Sequence, residues 1–289
     1  MDFLTDNKLP IGPLSKSFVD WLTANVDFVF DFIATILSAS INAMLFVLQA
    51  PFLKGTAVEA FYPLFMILVF SGIAWVMRRS LGVTVFTFLG LLLIYNQGYW
   101  KETMETLALV LAATGVCMVI GVPIGIACAR RPWLYAAVRP VLDLMQTIPT
   151  FVYLIPALIL FGLGMVPGLI ATVIFAIAAP IRLTRLGIIS TPPSLVEAAV
   201  AFGATPMQVL RKVELPFATP QIMAGLTQTI MLSLSMVVIA ALVGASGLGV
   251  PVVRALNTVN IARGFEAGLC IVILAIILDR IFRIPGEDT

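Results

Sequence analysis

Glu197, Arg211, Lys212 and Glu214 fall within twenty residues, EAAVAFGATPMQVLRKVELP at 197–216, with hydrophobic stretches on both sides. Their types suit ion pairing, helix capping and contact with another protein's surface. Catalysis has little support. The chain has no histidine, which removes the commonest general base and metal ligand. It contains no GxxxxGK[ST] stretch that would cradle ATP, no HExxH, no paired catalytic carboxylates and no Ser/His/Asp set. Cys117, Cys128 and Cys270 lie in apolar segments without CxxC spacing, so neither a disulfide framework nor a metal site is indicated.

At a bilayer centre each of the four charges would cost about 2.5–3.5 kcal/mol, roughly 10 kcal/mol together. The insert must therefore sit at or beyond the membrane surface. Its local signals describe two short helices. Pro192 and Pro193 suit a first turn, and Ser194 with Glu197 has capping-box spacing. Ala198, Ala199 and Ala201 propagate a helix, and Gly203 is placed as a left-handed cap. Thr205, Pro206 and Gln208 then suit N-cap, N1 and N3 of a second helix. That helix is expected to stop before Pro216. From local physics alone the hairpin is either a well-capped loop or a docking element.

The elements that carry this hairpin follow from composition. The chain has 289 residues, 61% hydrophobic and 11% charged, with mean hydropathy +1.08. Soluble domains are about 45–50% apolar and about 25% charged. An all-α, polytopic membrane protein is expected. Seven spans are expected at about 60–77, 80–96, 104–128, 147–164, 167–187, 220–244 and 265–282, from the rule that a crossing needs about 20 apolar residues. The net charge of +2, with no basic tract longer than two residues, gives no sign of nucleic acid. MDFLTDNKLPIGPLSKSF lacks the basic and apolar regions of a cleavable signal. Three regions are expected: a tail with an amphipathic helix at 1–58, two peripheral spans at 59–99, and a core at 100–285 containing the hairpin at 191–216.

Loop charge sets the orientation. With the N-terminus outside, Arg78, Arg79, Arg130, Arg131, Arg139, Arg182, Arg185, Arg211, Lys212, Arg280 and Arg283 fall inside. Lys8, Lys16, Lys54, Lys101, Arg254 and Arg263 fall outside. The hairpin is then cytoplasmic, as is the C-terminus. Residues 18–50 are long enough to cross. Yet Asp20, Ala24, Asp27, Asp31, Thr35, Ser38 and Asn42 recur every three or four residues, a stripe that suits an interfacial amphipathic helix better. A true span there would make eight and place the N-terminus inside.

Glu197-Ala198-Ala199, Gly203, Val213 and Leu215-Pro216 resemble the EAA signature of ABC importer permeases, with Val213 where the family more often has Ile. ETLALVLAATGVCMVIGVPIGIACAR, RPVLDLMQTIPTFVYLIPALILFGLG, MLSLSMVVIAALVGASGLG and ILAIILDR are similar to the glycine betaine/proline/choline osmoprotectant branch. The resemblance implies the type I importer fold and two permease copies in the lipid bilayer of a bacterial inner membrane. It implies a cytoplasmic ATPase dimer that binds ATP and magnesium, so that this chain holds no cofactor of its own. It also implies an extracytoplasmic binding protein that delivers the solute, a compatible solute such as glycine betaine, proline betaine or choline, or an amino acid such as histidine or proline. Each hairpin would act as a coupling helix. Gly203 would permit close backbone approach, and Glu197 would anchor the hairpin by capping or by an ion pair.

Ionisable groups are scarce within the spans; Asp143, Glu266 and Asp279 lie near span ends. Ion-coupled carriers usually need buried carboxylates or histidines along their path, so an external power source is favoured over a lone carrier. Gln146, Thr147, Tyr153, Gln228 and Ser233 are candidates for lining a path; the alternative for the polar ones is hydrogen bonding between helices. Ser233 and Ser235 cannot share one helical face. Phe151, Tyr153 and Phe161 are expected to pack, with any cage for a quaternary amine in the binding protein. GVPIG at 121–125 fits close helix packing, and GASGLG at 244–249 is either a docking turn or a plain loop.

Overall fold

The computed structural model describes residues 11–49 and 61–283. Residues 1–10 and 50–58 of the expected N-terminal region, with Lys8 and Lys54, the start of the first span at residue 60, and residues 284–289 with the terminal PGEDT lie outside the described residues. All regular structure among the described residues is helical. Eleven helices follow in order: α1 Ile11–Gln49, α2 Tyr62–Arg78, α3 Leu81–Asn96, α4 Trp100–Arg130, α5 Pro132–Thr147, α6 Thr150–Phe161, α7 Met165–Ile189, α8 Pro193–Ala201, α9 Pro206–Ala241, α10 Gly249–Asn257 and α11 Ile261–Phe282.

Helices α1, α4, α7, α9 and α11 are long and apolar enough to cross a membrane. Helices α2 and α3, at 17 and 16 residues, fall where short spans are expected. The span expected at 147–164 is broken. The helix in its place, α6, has only 12 residues and meets α5, which ends at Thr147, at 97°. Pro149 has no N–H for a helical ladder, and it drives the preceding Ile148 to an extended ψ of 132°. The amphipathic α5 and the apolar α6 are separated at that corner.

The centre of the fold is α4, α7 and α9 packed side by side. Lipid gives helices no hydrophobic reason to associate, so close packing has to come from small residues. Gly121 and Gly125 supply it. A Cβ on Gly125 would stand 2.7 Å from Thr184 Cβ and 2.8 Å from the Ile181 carbonyl oxygen, and one on Gly121 would stand 2.8 Å from Pro180 Cγ. The GVPIG stretch is thus a seam between α4 and α7.

Helix α1 is a 39-residue rod. It buries Leu37 and Ile41 with Leu109, Ala112 and Ala113 of α4, and Leu48 with Met104 and Leu107. Higher numbers on α1 meet lower numbers on α4, so the two run antiparallel. Further down, the Phe30 ring meets Phe161 of α6 edge-on at 5.6 Å. The expected polar stripe is real: Asp20, Asp27, Asp31 and Thr35 are exposed on the face away from these contacts.

Candidate coupling site

The hairpin is built as two helices that meet at a left-handed glycine. Helix α8 ends with Gly203 at φ +80°. The Gly203 N–H donates to the Val200 carbonyl at 2.9 Å and the Ala204 N–H to the Ala199 carbonyl at 3.0 Å, a Schellman closure. The second helix opens with the expected capping box: the Thr205 N–H donates to Gln208 Oε1 at 2.7 Å and the Gln208 N–H to Thr205 Oγ1 at 3.4 Å.

Two local expectations are overturned. No side chain caps α8: Pro192 occupies the N-cap and carries no side-chain acceptor, so Ser194 falls too late to act. The second helix also does not stop before Pro216. Leu210–Glu214 forms a single π-helical turn, closed by the Leu215 N–H on the Leu210 carbonyl, and the chain runs on to Ala241. The wider turn shifts the backbone register where Pro216 cannot donate, which lets the helix pass the proline. The hairpin is therefore continuous with the core helix α9.

Its anchor is a residue that sequence spacing did not single out. Arg130, at the last turn of α4, donates from Nη2 to Glu214 Oε2 at 2.7 Å and to the Pro206 carbonyl at 3.2 Å. One guanidinium thus ties α4 to both ends of the short second helix. The Glu214 side chain is 16% exposed, so water screens the pair only in part. Glu197 neither caps nor pairs; it is exposed, as are Ala198, Gly203 and Pro216. Ala199, Val213 and Leu215 are half-buried, and Val209 is buried. The tip carries Leu195, Val200, Phe202 and Met207 outward; Phe202 is 94% exposed.

A second cluster fastens α5 to α7. Arg182 of α7 donates to Asp143 Oδ1 at 2.6 Å and to Gln146 Oε1 at 3.1 Å, and Arg185 lies over the Tyr135 ring at 3.6 Å.

Residues 121–285 match the family described as binding-protein-dependent transport system inner membrane component. The glycine betaine transport system permease protein OpuAB of Bacillus subtilis (strain 168) is 46% identical over 274 residues, 95% of this chain and 93% of that one. The chain belongs to this family of ABC importer permeases. The glycine betaine/carnitine transport permease protein GbuB of Listeria monocytogenes is 45% identical over 94% of both chains. Among solved structures, an inward-facing form of the MetNI methionine ABC transporter shares 27% identity, with TM-score 0.55 over 60% of this chain and 88% of that one. The permease is a transport subunit of the type I importer fold, not an enzyme, and the family brings an ATPase and a substrate-binding protein as its partners.

The five candidate path residues of the permease do not gather in one chamber. Gln146 is held by Arg182, and Thr147 is exposed beside it at the α5 terminus. Tyr153 folds back over the corner and donates to the Met145 carbonyl at 2.5 Å. Gln228 lines a 270 Å³ cavity with Thr227, Met231, Asp279 and Arg283, and none of the other four is on its wall. Ser233 is 1% exposed in the packed face of α9, while Ser235 points outward.

The Arg130–Glu214 tie yields a direct expectation. Arg130→Ala and Glu214→Ala should each lower coupled transport several-fold, and the double variant should be no worse than either single one. The charge-reversed pair Arg130→Glu/Glu214→Arg should recover part of the loss. Additive losses, read as rates in a double-mutant cycle, would contradict a shared tie.

Proposed function

We propose that this chain is the permease subunit of an ATP-driven importer for a compatible solute or quaternary amine of the glycine betaine, proline betaine or choline kind. The observation that carries the reading is the hairpin: capped, continuous with α9, clamped to α4, and bare and apolar at its tip. The solutes for which OpuAB and GbuB are named support the solute class. Two copies of the permease stand over two ATPase subunits, which bind ATP and magnesium, and a binding protein delivers solute on the far side.

In this account the exposed tip seats in the ATPase. Leu195, Val200, Phe202 and Met207 supply the apolar contact, Ala198 and Gly203 present a low surface that lets the two backbones approach, and the exposed Glu197 offers a charge beside them. Closure of the ATPases displaces the tip. Because α9 continues from the hairpin and Arg130 grips it, the displacement passes to α9 and α4 together. Gln228 and Ser235 lie on the exposed face of α9 that such a movement would turn. The lone-carrier reading has no lever of this kind.

The protein in proteoliposomes, with its ATPase and binding protein, should take up labelled glycine betaine only with ATP. Gly203→Asp or Glu197→Lys should remove uptake while the chain still inserts. Uptake by the isolated chain without ATP would contradict the reading, as would normal uptake by both variants.

For orientation we propose a cytoplasmic C-terminus and hairpin. The interfacial reading of α1 places the N-terminus outside. The lengthwise packing of α1 on α4 favours the other alternative, a crossing helix with the N-terminus inside. Residues 32–49 carry no charge, and at 1.5 Å per residue they reach about 27 Å, close to the hydrocarbon thickness. Crossing also moves Lys8 and Lys16 to the cytoplasm and leaves Lys54, Lys101, Arg254 and Arg263 outside, a steeper positive-inside bias. A single cysteine at Ser15 should then resist an impermeant thiol reagent added to intact cells and react after permeabilisation. Labelling in intact cells would return α1 to the outer surface.

A further inference from the structure

Helix α4 has 31 residues, about 46 Å at 1.5 Å per residue. Its Arg130 end grips the hairpin, so its Trp100 end lies on the opposite side of the membrane. A cleft of about 510 Å³ opens at that end, between the start of α4, the GASGLG turn, α10 and the start of α11.

The cleft carries both signs of charge. Glu102 and Glu105 come from α4 on one side; Arg254 of α10 and Arg263 of α11 come from the other. Glu102 Oε2 is buried and has no hydrogen-bond partner among the described residues. The Arg254 and Arg263 side chains are exposed, and no ion pair or hydrogen bond engages their guanidinium groups among the described residues. Glu105 has Lys101 at 3.9 Å, a long contact along one helix face. Tyr99 adds an aromatic ring to the lining. Burial raises the Tyr99 hydroxyl above its usual pKa, and Glu266 adds to that rise against the opposing influence of Arg263. The ring therefore stays neutral and electron-rich at neutral pH.

The Glu102 carboxylate draws a cation into the cleft by charge, and a planar guanidinium matches a carboxylate with two parallel donors. A simple cation would satisfy Glu102 and leave the arginines unmet. A simple anion would do the reverse. A small molecule with a quaternary ammonium and a carboxylate a few bonds apart answers both, with the ammonium also over the Tyr99 face.

The wall of the cleft is preformed. The Leu248 N–H donates to Thr106 Oγ1 at 2.8 Å. Gly247 sits at φ +128°, and a Cβ there would stand 2.6 Å from that same oxygen. The GASGLG turn is thus pinned onto α4, and no loop has to be ordered when a ligand enters.

We propose that this cleft is a receiving site for small zwitterions at the outer mouth of the permease. Glu102 and Tyr99 take the quaternary ammonium, and Arg254 and Arg263 take the carboxylate. The proposal rests on the compatible-solute reading above and adds a solute site in the permease itself.

The test uses a single cysteine at Ser246, which lines the cleft. The native Cys117, Cys128 and Cys270 are all buried, so background labelling is low. In the reconstituted permease–ATPase complex without binding protein, millimolar glycine betaine should slow labelling of Ser246→Cys by an impermeant maleimide several-fold. Choline and acetate, each with half the charge pattern, should protect less. Glu102→Gln and Arg254→Gln should abolish the protection; Arg254 is exposed, so the second variant keeps the test open if the first fails to fold. Absence of protection, or equal protection in both variants, overturns the proposal. Protection by solute-free binding protein alone, with none from glycine betaine, also overturns it and makes the cleft a docking groove. ATP-driven uptake with binding protein, assayed on the same vesicles, separates the two readings. Uptake without protection sinks the cleft and spares the importer; protection without uptake of any quaternary amine does the reverse.

Discussion

One guanidinium at the end of α4 fixes how this protein can move. Arg130 reaches a carboxylate and a backbone carbonyl at opposite ends of the hairpin's second helix. Without that tie, a nine-residue helix and a short capped turn would hang from the membrane by two connections. With it, the hairpin, α4 and α9 share a rigid joint.

The rest of the core extends that rigidity across the membrane. Helices α4 and α7 approach at Gly121 and Gly125 so closely that a methyl group would collide. Helix α9 meets α7 in the same way where Gly187 faces Ala218, with only 2.9 Å available to an added Cβ. Packed interfaces of this kind shift as units and do not bend continuously. At the far end, Thr106 holds the GASGLG turn. The chain thus forms one connected body from the apolar tip of the hairpin to the charged cleft.

Much of this was legible in the sequence because membrane physics leaves few alternatives. Long uncharged runs have to be helices; four of the seven expected spans fall on helices long enough to cross, and two more fall on the shorter apolar helices α2 and α3. The second capping box was readable because all its partners lie within four residues. The broken span was signalled by Pro149 but masked by the long apolar run that follows it. The π turn before Pro216 has no spacing signature; the proline points to a stop, and only continuity with α9 overrides it. The Arg130–Glu214 pair joins residues 84 positions apart, so no local pattern predicts it. The same limit applies to the cleft at the Trp100 end of α4, whose charges come from three helices. The scatter of Gln146 and Tyr153 has a related cause: polar residues beside apolar helices are as readily used to fasten a corner as to line a path.

The central claim is that the hairpin moves as one piece with the membrane core. Pairs of spin labels at Phe202 and Trp133, both exposed, measure it within one chain, and labels at Phe202 in the two copies measure it between chains. On addition of ATP to the complete transporter, the distance within a chain should stay fixed while the distance between chains changes. A within-chain distance that shifts or broadens with ATP would show the hairpin hinging on Arg130 and would contradict the account.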